Sequence, residues 1–262
     1  MEQNLQSQFG ALVMVMMMVC LLCVLYFSLA GSVKYSILSD ISAIPQSMFG
    51  TAQPALLAFP SERPVFLREY STNHYSVLPY FLSRLTMELV ITGGQVFLQC
   101  LITFWMVSFN SNFGMFYAAV YTLAMSSTAM AVMLGCAVED PKLGQELLPI
   151  LFVPQMLFSG FFVIPELIPI WLRWAQYLCA LTYSLRIMTV EEFGDREDCE
   201  PECDESTMQA GRGCVNTCDR FLETIKADPD ETWWNWLVLL ALFIFFRLIG
   251  LVILKRKALK FY

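Results

Sequence analysis

The chain has 262 residues, of which 57% are hydrophobic and only 15% are charged. Soluble domains carry a charge on about a quarter of their residues, so this composition excludes an ordinary water-soluble globular domain. The formal net charge of −7 excludes nucleic-acid binding, because phosphate recognition needs a basic face. We therefore expect an all-α integral membrane protein whose partner is the lipid bilayer and not a nucleic acid.

The N-terminal apolar segment, residues 1–40, contains an uncharged run from 10 to 33. A helix needs about 20 apolar residues to cross the hydrocarbon core, so this run predicts a span. A signal peptide fits poorly because neither Lys nor Arg precedes the run. Residues 41–60 are also uncharged but contain prolines, which makes this second span doubtful. The expected fold therefore has five or six transmembrane helices.

The transmembrane core, predicted over residues 85–190, includes a run of 50 residues, 89–138, without a single charge. This run is too long for one helix and long enough for two. Its one turn-like break, residues 109–114, contains two Asn and a Gly. The pattern predicts a helical hairpin, in which Gly93 and Gly94 favour close helix packing.

Prolines interrupt the second half of this core, and aromatic residues follow. The prolines are Pro149, Pro154, Pro165 and Pro169. The aromatic residues are Trp171, Trp174 and Tyr177. Aromatic rings with a polar edge favour the lipid headgroup level. We therefore expect one kinked span over residues 147–164, then a short helix over 178–187 that dips into the interface and returns, as a re-entrant helical hairpin.

The last predicted segment, residues 233–262, consists of a span over 233–254 and a basic tail. Arg247 lies inside this span. We expect its long side chain to snorkel toward the end marked by Lys255, because a charge in hydrocarbon is costly. A role in the transport path is the alternative.

The distribution of charge predicts which side each loop faces. Lys and Arg collect in short cytoplasmic loops, so the basic tail places the C-terminus in the cytoplasm. Counting spans backwards puts residues 61–84 in the cytoplasm and residues 191–232 outside, where acidic residues outnumber basic ones. The N-terminus is cytoplasmic if residues 41–60 cross the membrane, and external if they do not.

Four cysteines in the external loop form two C-x3-C pairs. They are Cys199, Cys203, Cys214 and Cys218. A spacing of four puts each pair on one face of a helix, so two short antiparallel helices joined by two disulfides are expected. Three pairings are possible, and the nested one suits that geometry best. Zinc is the rival ligand, but the external position favours a disulfide-stapled extracellular loop. The remaining cysteines sit in apolar runs as expected packing residues: Cys20, Cys23, Cys100, Cys136 and Cys179.

Recognisable catalytic motifs are missing from the sequence. His74 is the single histidine, and no phosphate-binding loop or nucleophile elbow occurs. The sequence therefore predicts no catalytic residue, no metal site and no enzyme activity in this chain.

The predicted cytoplasmic loop carries the first of two family motifs. The run F-P-S-E-R-P-V-F-L-R-E-Y at 59–70 resembles the intracellular loop between the second and third helices of the G subfamily of ABC transporters (white/pleiotropic-drug-resistance-like). In that family the loop docks on the nucleotide-binding domain. The resemblance assigns five residues to this coupling loop: Glu62, Arg63, Arg68, Glu69 and Tyr75. An ordinary solvated, positive-inside loop is the alternative.

The second motif lies at the end of the kinked span. F-S-G-F-F at 158–162 and I-P-I-W-L-R-W at 168–174 resemble the fifth helix and the re-entrant hairpin of the same family. The resemblance places residues 158–162 near the outer gate and assigns these residues to the outer gate and re-entrant hairpin together: Phe158, Gly160, Phe161, Phe162, Pro169, Trp171 and Trp174.

The family resemblance implies half of a dimeric, ATP-driven exporter of a lipophilic substrate. No cofactor is expected in this chain itself. ATP and Mg²⁺ would bind a partner nucleotide-binding domain, and a second transmembrane half would complete the pump as a homo- or heterodimer. A non-transporting multi-pass fragment and a secondary transporter are the alternatives. The sequence departs from the family by lacking a preceding ATP-binding domain, by Val90 in place of a proline, and by residues 19–46, a possible insertion or gene-model artefact.

Overall fold

The computed structural model describes residues 47–58, 77–107, 112–138, 140–159, 170–193, 201–202, 215–216 and 232–260. These residues form six α-helices: α1 over 47–58, α2 Val77–Val107, α3 Phe113–Ala137, α4 Pro141–Phe158, α5 Ala180–Phe193 and α6 Thr232–Lys260. A 3-10 helix, Ile170–Leu178, precedes α5. Strands β1, Pro201–Glu202, and β2, Val215–Asn216, pair antiparallel. Apart from this short pairing, the described structure is helical, which confirms the expected class.

Three helices are long and apolar enough to cross a membrane: α2, α3 and α6. The hairpin prediction is confirmed, because α2 ends at Val107 and α3 begins at Phe113. Asn112 caps α3 by accepting a hydrogen bond from the Gly114 backbone N–H at 3.4 Å. The last predicted span is confirmed as α6. The N-terminal span lies outside the described residues, and α1 covers only part of the doubtful one.

Helix α3 lies at the centre of the described bundle. Of its spanning window 78% is buried, compared with 33% for α2 and for α6. Small residues allow close approach, and serine hydroxyls bridge the helices. Ser126 donates to the Leu239 carbonyl of α6 at 3.3 Å, and Ser184 of α5 donates to the Ala119 carbonyl at 3.3 Å. The core therefore forms around α3.

Two tyrosines of α3 hold α2 along the glycine pair. Tyr117 donates its hydroxyl to the Gly93 carbonyl and Tyr121 to the Leu89 carbonyl, each at 3.2 Å. A Cβ at Gly93 would lie 3.5 Å from the Tyr121 ring, whereas one at Gly94 would meet nothing within 4 Å. The close-packing prediction is therefore confirmed for Gly93 and is wrong for Gly94, which faces away from its helix neighbours.

Helix α1 contains Pro54, which cannot donate a hydrogen bond to the Gly50 carbonyl one turn earlier. The side chain of Gln95 on α2 supplies the missing donor, because its Nε2 lies 3.2 Å from the Gly50 carbonyl oxygen. A neighbouring helix thus satisfies the backbone that the proline opened, as membrane interiors require.

The segments after α4 correct one expectation and leave others untested. Residues 160–169 lie outside the described residues, so the re-entrant hairpin stays a prediction, as do the predicted segment boundaries. The described residues inside each C-x3-C pair, 201–202 and 215–216, form antiparallel strands, so the expectation of two short helices is wrong there. The spacing of four does not distinguish the two structures. Residues four positions apart lie on the same face of a strand, because four is even, and also on the same face of a helix. Cys199, Cys203, Cys214 and Cys218 lie outside the described residues.

Three of the cysteines expected to be packing residues lie in the described helical region. Cys100, Cys136 and Cys179 are buried and carry free thiols. Their expected packing role is confirmed. Cys20 and Cys23 lie outside the described residues.

Candidate functional site

A buried ion pair joins α2 to α6. Glu88 of α2 and Arg247 of α6 are only 7% and 6% exposed, and Arg247 Nη2 donates a hydrogen bond to Glu88 Oε2. Arg84, one turn before Glu88, places its Nε 3.5 Å from Glu88 Oε1. The two arginines therefore hold the carboxylate from two different helices.

The pair lies inside the helix bundle, away from the ends of both helices. Glu88 follows Val77, the first residue of α2, by eleven positions, which is about 16 Å along a helix. An unpaired charge buried among helices is costly, and removal of one partner from a buried pair leaves the other uncompensated. The ion pair therefore fixes the position of α6 against α2.

Arg247 corrects an expectation, because its side chain does not reach for the membrane surface. It binds Glu88, and its guanidinium lies 5.5 Å from the centre of the Phe243 ring. The snorkelling interpretation is wrong because a carboxylate on a neighbouring helix compensates the charge inside the bundle. Sequence reasoning did not include Glu88 in any site. The available signal was a pair of opposite charges in two separate apolar helices.

One face of α2 is polar and buried along the helix. Its members are Glu88, Thr92, Gln95, Gln99 and Thr103, each 7% exposed or less. Spacings of three and four residues put them in one row. Val90, on another face of the same helix, is 71% exposed. Helix α2 therefore directs its polar groups into the bundle and its apolar groups outward, as a helix in lipid does.

A small cavity, open to the outside, lies between α1 and α2 beside the ion pair. Its lining consists of Thr51, Pro54, Ala55, Arg84, Glu88, Ile91, Thr92 and Gln95. The Thr51 hydroxyl donates to the Ser47 carbonyl of its own helix at 2.9 Å. The cavity is thus a recess between two helices, and Pro54 and Gln95 both line it.

The residues assigned to the coupling loop all lie outside the described residues: Glu62, Arg63, Arg68, Glu69 and Tyr75. Four assigned to the outer gate lie outside as well: Gly160, Phe161, Phe162 and Pro169. Phe158 is the last residue of α4 and is partly buried. Trp171 and Trp174 lie in the 3-10 helix, where Trp174 is 66% exposed. Both assigned roles stay predictions.

The polar groups of the described helices connect helices to one another. Within the described helices and strands, no group of three or more His, Cys, Asp or Glu residues could hold a metal ion. The ion pair instead links helices that are far apart in sequence, and the cavity offers hydrogen-bonding groups within an apolar bundle.

Comparison with known proteins identifies the architecture. Residues 41–193, more than half of the chain, match the family described as ABC-2 type transporter. The chain belongs to this family. It is therefore an ABC-2 membrane domain, and α1 to α5 all fall inside the matched region.

The ABC-2 membrane domain also resembles longer proteins of the G family. It is 26% identical to ABC transporter G family member 1 of Dictyostelium discoideum, over 91% of this chain and 31% of the relative. It is 26% identical to Protein white of Drosophila melanogaster, over 81% of this chain and 30% of the relative. It is also 26% identical to the Broad substrate specificity ATP-binding cassette transporter ABCG2 of Sus scrofa, over 74% of this chain and 31% of the relative. The chain thus spans about a third of the length of the curated relatives it matches.

Proposed function

We propose that this chain is the membrane-spanning part of an ATP-driven exporter that moves a lipophilic substrate when paired with nucleotide-binding domains and a second transmembrane half. The family match and the G-family relatives support this function. The structural observation that carries it is the Glu88–Arg247 ion pair. It links the helix that follows the predicted coupling loop to the last helix of the domain.

The proposed mechanism passes motion through packed helices. Helix α2 begins at Val77, inside the segment 61–84 that the sequence predicts to be cytoplasmic, so its first two turns belong to that segment. A displacement of that loop on ATP binding would shift the first turns of α2. Since Arg247 binds Glu88, α6 would move with α2 and would change its packing on α3. A packed, bistable bundle can convert such a shift into inward- and outward-facing states.

In this proposal ATP and Mg²⁺ bind the partner domain, and the coupling-loop residues Glu62, Arg63, Arg68, Glu69 and Tyr75 contact that domain. The C-terminus faces the cytoplasm, and the protein resides in the plasma membrane or an endomembrane. Cysteine cross-linking between Arg68→Cys and a single cysteine on the partner domain tests the contact. Labelling of the same cysteine by an impermeant maleimide from outside intact cells would contradict the orientation.

The decisive experiment is reconstitution of the chain in proteoliposomes with a separate G-family nucleotide-binding domain. We expect ATP-dependent movement of a fluorescent lipophilic probe only when both chains are present. A nucleotide-binding domain that cannot hydrolyse ATP is the matched control and should abolish transport. Transport by the purified chain alone, driven by an ion gradient, would refute ATP coupling.

A secondary transporter is a second candidate, because buried ionisable residues deep in the membrane are typical of ion-coupled transport. Glu88 and Arg247 are ionisable and buried within the helix bundle. However, they bind each other as an ion pair between two helices. A proton gradient imposed on the same proteoliposomes without ATP separates the two candidates.

We also propose that the external loop is closed by disulfides between Cys199 and Cys218 and between Cys203 and Cys214. The supporting observation is the strand register, in which Pro201 lies opposite Asn216 and Glu202 opposite Val215. Counting in the same register pairs the cysteines in the same way. Peptide mapping without reductant should recover these two linked pairs. Recovery of Cys199 linked to Cys203, or of zinc in the purified protein, would contradict the pairing.

A further inference from the structure

Helix α5 carries an arginine that forms no ion pair with any residue that the structure describes. Arg84 and Arg247 both pair with Glu88, whereas the Nε of Arg186 is buried and has no hydrogen-bond partner among the described residues. The Arg186 side chain as a whole is partly buried. An arginine keeps its charge inside a protein, and a charge that is removed from water without a partner is costly. Arg186 is therefore a group that a bound anion would stabilise.

The Thr182 hydroxyl lies on the same face of α5, one helical turn before Arg186. Thr182 is only 6% exposed, and its Oγ1 is buried without a hydrogen-bond partner in the described part of the chain. Thr189 on the same helix instead donates to the Leu185 carbonyl at 2.9 Å. Residues four positions apart in a helix have Cβ atoms about 5–6 Å apart. The two unpartnered donors are therefore neighbours, at a separation that one small anion can bridge.

Both donors point away from α3, near one end of that helix. Ser184 is two residues from each of them and donates to the Ala119 carbonyl of α3. Two positions along a helix turn a side chain by about 200°, so Thr182 and Arg186 lie on the opposite side of α5. Ala119 is six positions after Phe113, the first residue of α3, which is about 9 Å along that helix. The pair therefore lies close to the end of the bundle at which α3 begins, which is the external end in the orientation proposed above.

Two exposed aromatic residues lie beside the pair. Trp174 and Tyr177 of the 3-10 helix that precedes α5 are 66% and 71% exposed. The Tyr183 hydroxyl donates to the Tyr177 carbonyl at 3.2 Å, which joins the 3-10 helix to the first turn of α5. Trp and Tyr side chains are enriched where hydrocarbon meets the lipid headgroups. The anionic group that phospholipids share at this level is the phosphate.

The two side chains offer donors that suit a phosphate group. A guanidinium has five N–H donors and no acceptor, and its planar fork binds two phosphate oxygens at once. The Thr182 hydroxyl can donate to one of the same oxygens. We propose that Arg186 and Thr182 bind the phosphate group of a phospholipid in the outer leaflet, as a structural lipid beside α5 and not as cargo. The proposed orientation serves only to name the leaflet, and binding itself requires neither ATP nor a partner chain.

The test uses the purified full chain in detergent micelles and native mass spectrometry, which counts bound lipids. Three lipids with the same oleoyl chains are titrated: phosphatidylcholine, phosphatidylglycerol and dioleoylglycerol, which lacks phosphate. We expect both phospholipids to bind at least about tenfold more tightly than dioleoylglycerol, the gain expected from hydrogen bonds to a charged group. Inorganic phosphate at the same concentration should not displace them, because it has no acyl chains to bury. Displacement would overturn a lipid as the source of the phosphate.

Substitutions in α5 and α6 provide matched variants and controls. Arg186→Gln removes the charge and should weaken phospholipid binding about tenfold, whereas Arg186→Lys keeps the charge without the fork and should recover part of it. Thr182→Val should weaken binding about fivefold. Two controls should leave binding unchanged: Thr189→Val removes a hydroxyl that bonds within its own helix, and Arg256→Gln removes an exposed arginine near the other end of the bundle. All variants are compared at equal recovery of monodisperse protein.

Equal binding of the three lipids would overturn the proposal. Equal losses in Arg186→Gln and Arg256→Gln would also overturn it, because the headgroups would then respond only to total positive charge. If Arg186→Gln is not recovered as folded protein, Thr182→Val and Arg186→Lys carry the same comparison. The assay contains no nucleotide-binding domain, so its outcome is independent of transport. Phospholipid preference without ATP-driven transport would refute the proposed function alone, and transport without phospholipid preference would refute this site alone.

Discussion

Helices α3 and α6 are both uninterrupted apolar helices, yet they have different surroundings. The α6 window is more hydrophobic, with a mean hydropathy of 3.0 against 1.5 for α3, but only 33% of it is buried, against 78% for α3. Helix α3 carries hydroxyls and small residues because it is surrounded by protein. Helix α6 presents leucine and phenylalanine side chains to its surroundings, such as Leu240, Phe245 and Leu248, which are about half exposed.

The comparison shows that hydrophobicity marks contact with lipid, whereas polarity marks contact between helices. In a bilayer, apolar side chains gain little by leaving lipid for protein, so helix association depends on close packing and hydrogen bonds. Helix α2 shows both properties on different faces, with Glu88 buried and Val90 exposed. The following predictions test this division from the largest expected effect to the smallest.

The strongest test removes one member of the buried ion pair. Arg247→Leu leaves the Glu88 carboxylate without its α6 partner inside the bundle, and should cost about 3–5 kcal/mol of folding free energy. We expect a large loss of monodisperse protein in fluorescence-detected size-exclusion chromatography. The lipid-facing change Leu248→Ala on the same helix is the control.

The double substitution Glu88→Leu with Arg247→Leu separates charge from packing. Both buried charges are then absent, and stability should recover to within about 1–2 kcal/mol of the original protein. If the double variant is as unstable as Arg247→Leu alone, then the pair does not stabilise α6 against α2 through its charges.

Two glycine substitutions test whether a helix face packs on protein or faces lipid, because each adds side-chain volume to that face. Gly250 of α6 would place a Cβ 3.5 Å from the Met133 backbone of α3, whereas Gly94 of α2 has open space. Gly250→Leu should therefore force the helices apart and destabilise by up to about 3 kcal/mol. Gly94→Leu should be neutral or stabilising, because leucine favours a helix more than glycine does.

Unfolding of the two glycine variants by SDS in mixed micelles measures this difference directly. The SDS midpoint of Gly94→Leu should equal or exceed that of the original protein. The midpoint of Gly250→Leu should be lower. Equal destabilisation by both substitutions would show that the outer face of α2 is covered by protein rather than lipid.

The hydrogen bond from Gln95 to the Gly50 carbonyl, which Pro54 leaves without a backbone donor, predicts a double-mutant effect between α1 and α2. Gln95→Leu leaves the Gly50 carbonyl without a donor, which should cost about 1–2 kcal/mol. Pro54→Ala supplies a backbone N–H to the same carbonyl, so Gln95→Leu should cost less in the Pro54→Ala background. The two effects are measured by thermal unfolding in detergent, with Gln53→Leu as an exposed control on α1. Strict additivity would contradict the proposed role of Gln95.

The smallest effect is expected from a hydroxyl at the centre. Ser126→Ala removes the hydrogen bond to the Leu239 carbonyl but keeps the small volume. Hydrogen bonds between membrane helices are worth about 0.6 kcal/mol on average, so the midpoint of SDS unfolding should fall slightly. Thr86→Val, on the exposed side of α2, should have no measurable effect. A loss above about 2 kcal/mol would mean that Ser126 has a role beyond this hydrogen bond.

Sequence patterns predicted the helices well where lipid determined the composition. The uncharged run of residues 89–138 predicted the α2–α3 hairpin, and the last predicted span, residues 233–254, corresponds to α6. The site was predicted poorly. Arg247 was predicted to reach toward the membrane surface, and Glu88 was not assigned to any site. The local sequence around each residue does not indicate a partner 159 positions away. The coupling-loop and outer-gate assignments came from family resemblance and stay predictions.

The amino-acid sequence by itself determined that this chain resides in a bilayer, which stretches form its longest apolar helices, and to which transporter family it is related. These properties follow from local composition, because the thickness of the hydrocarbon core fixes how long an uncharged run must be. Tertiary structure alone decided that Glu88 meets Arg247, that Gln95 replaces the donor lost at Pro54, and that Thr92 faces a cavity. Such contacts depend on how helices rotate against one another, which hydropathy does not encode.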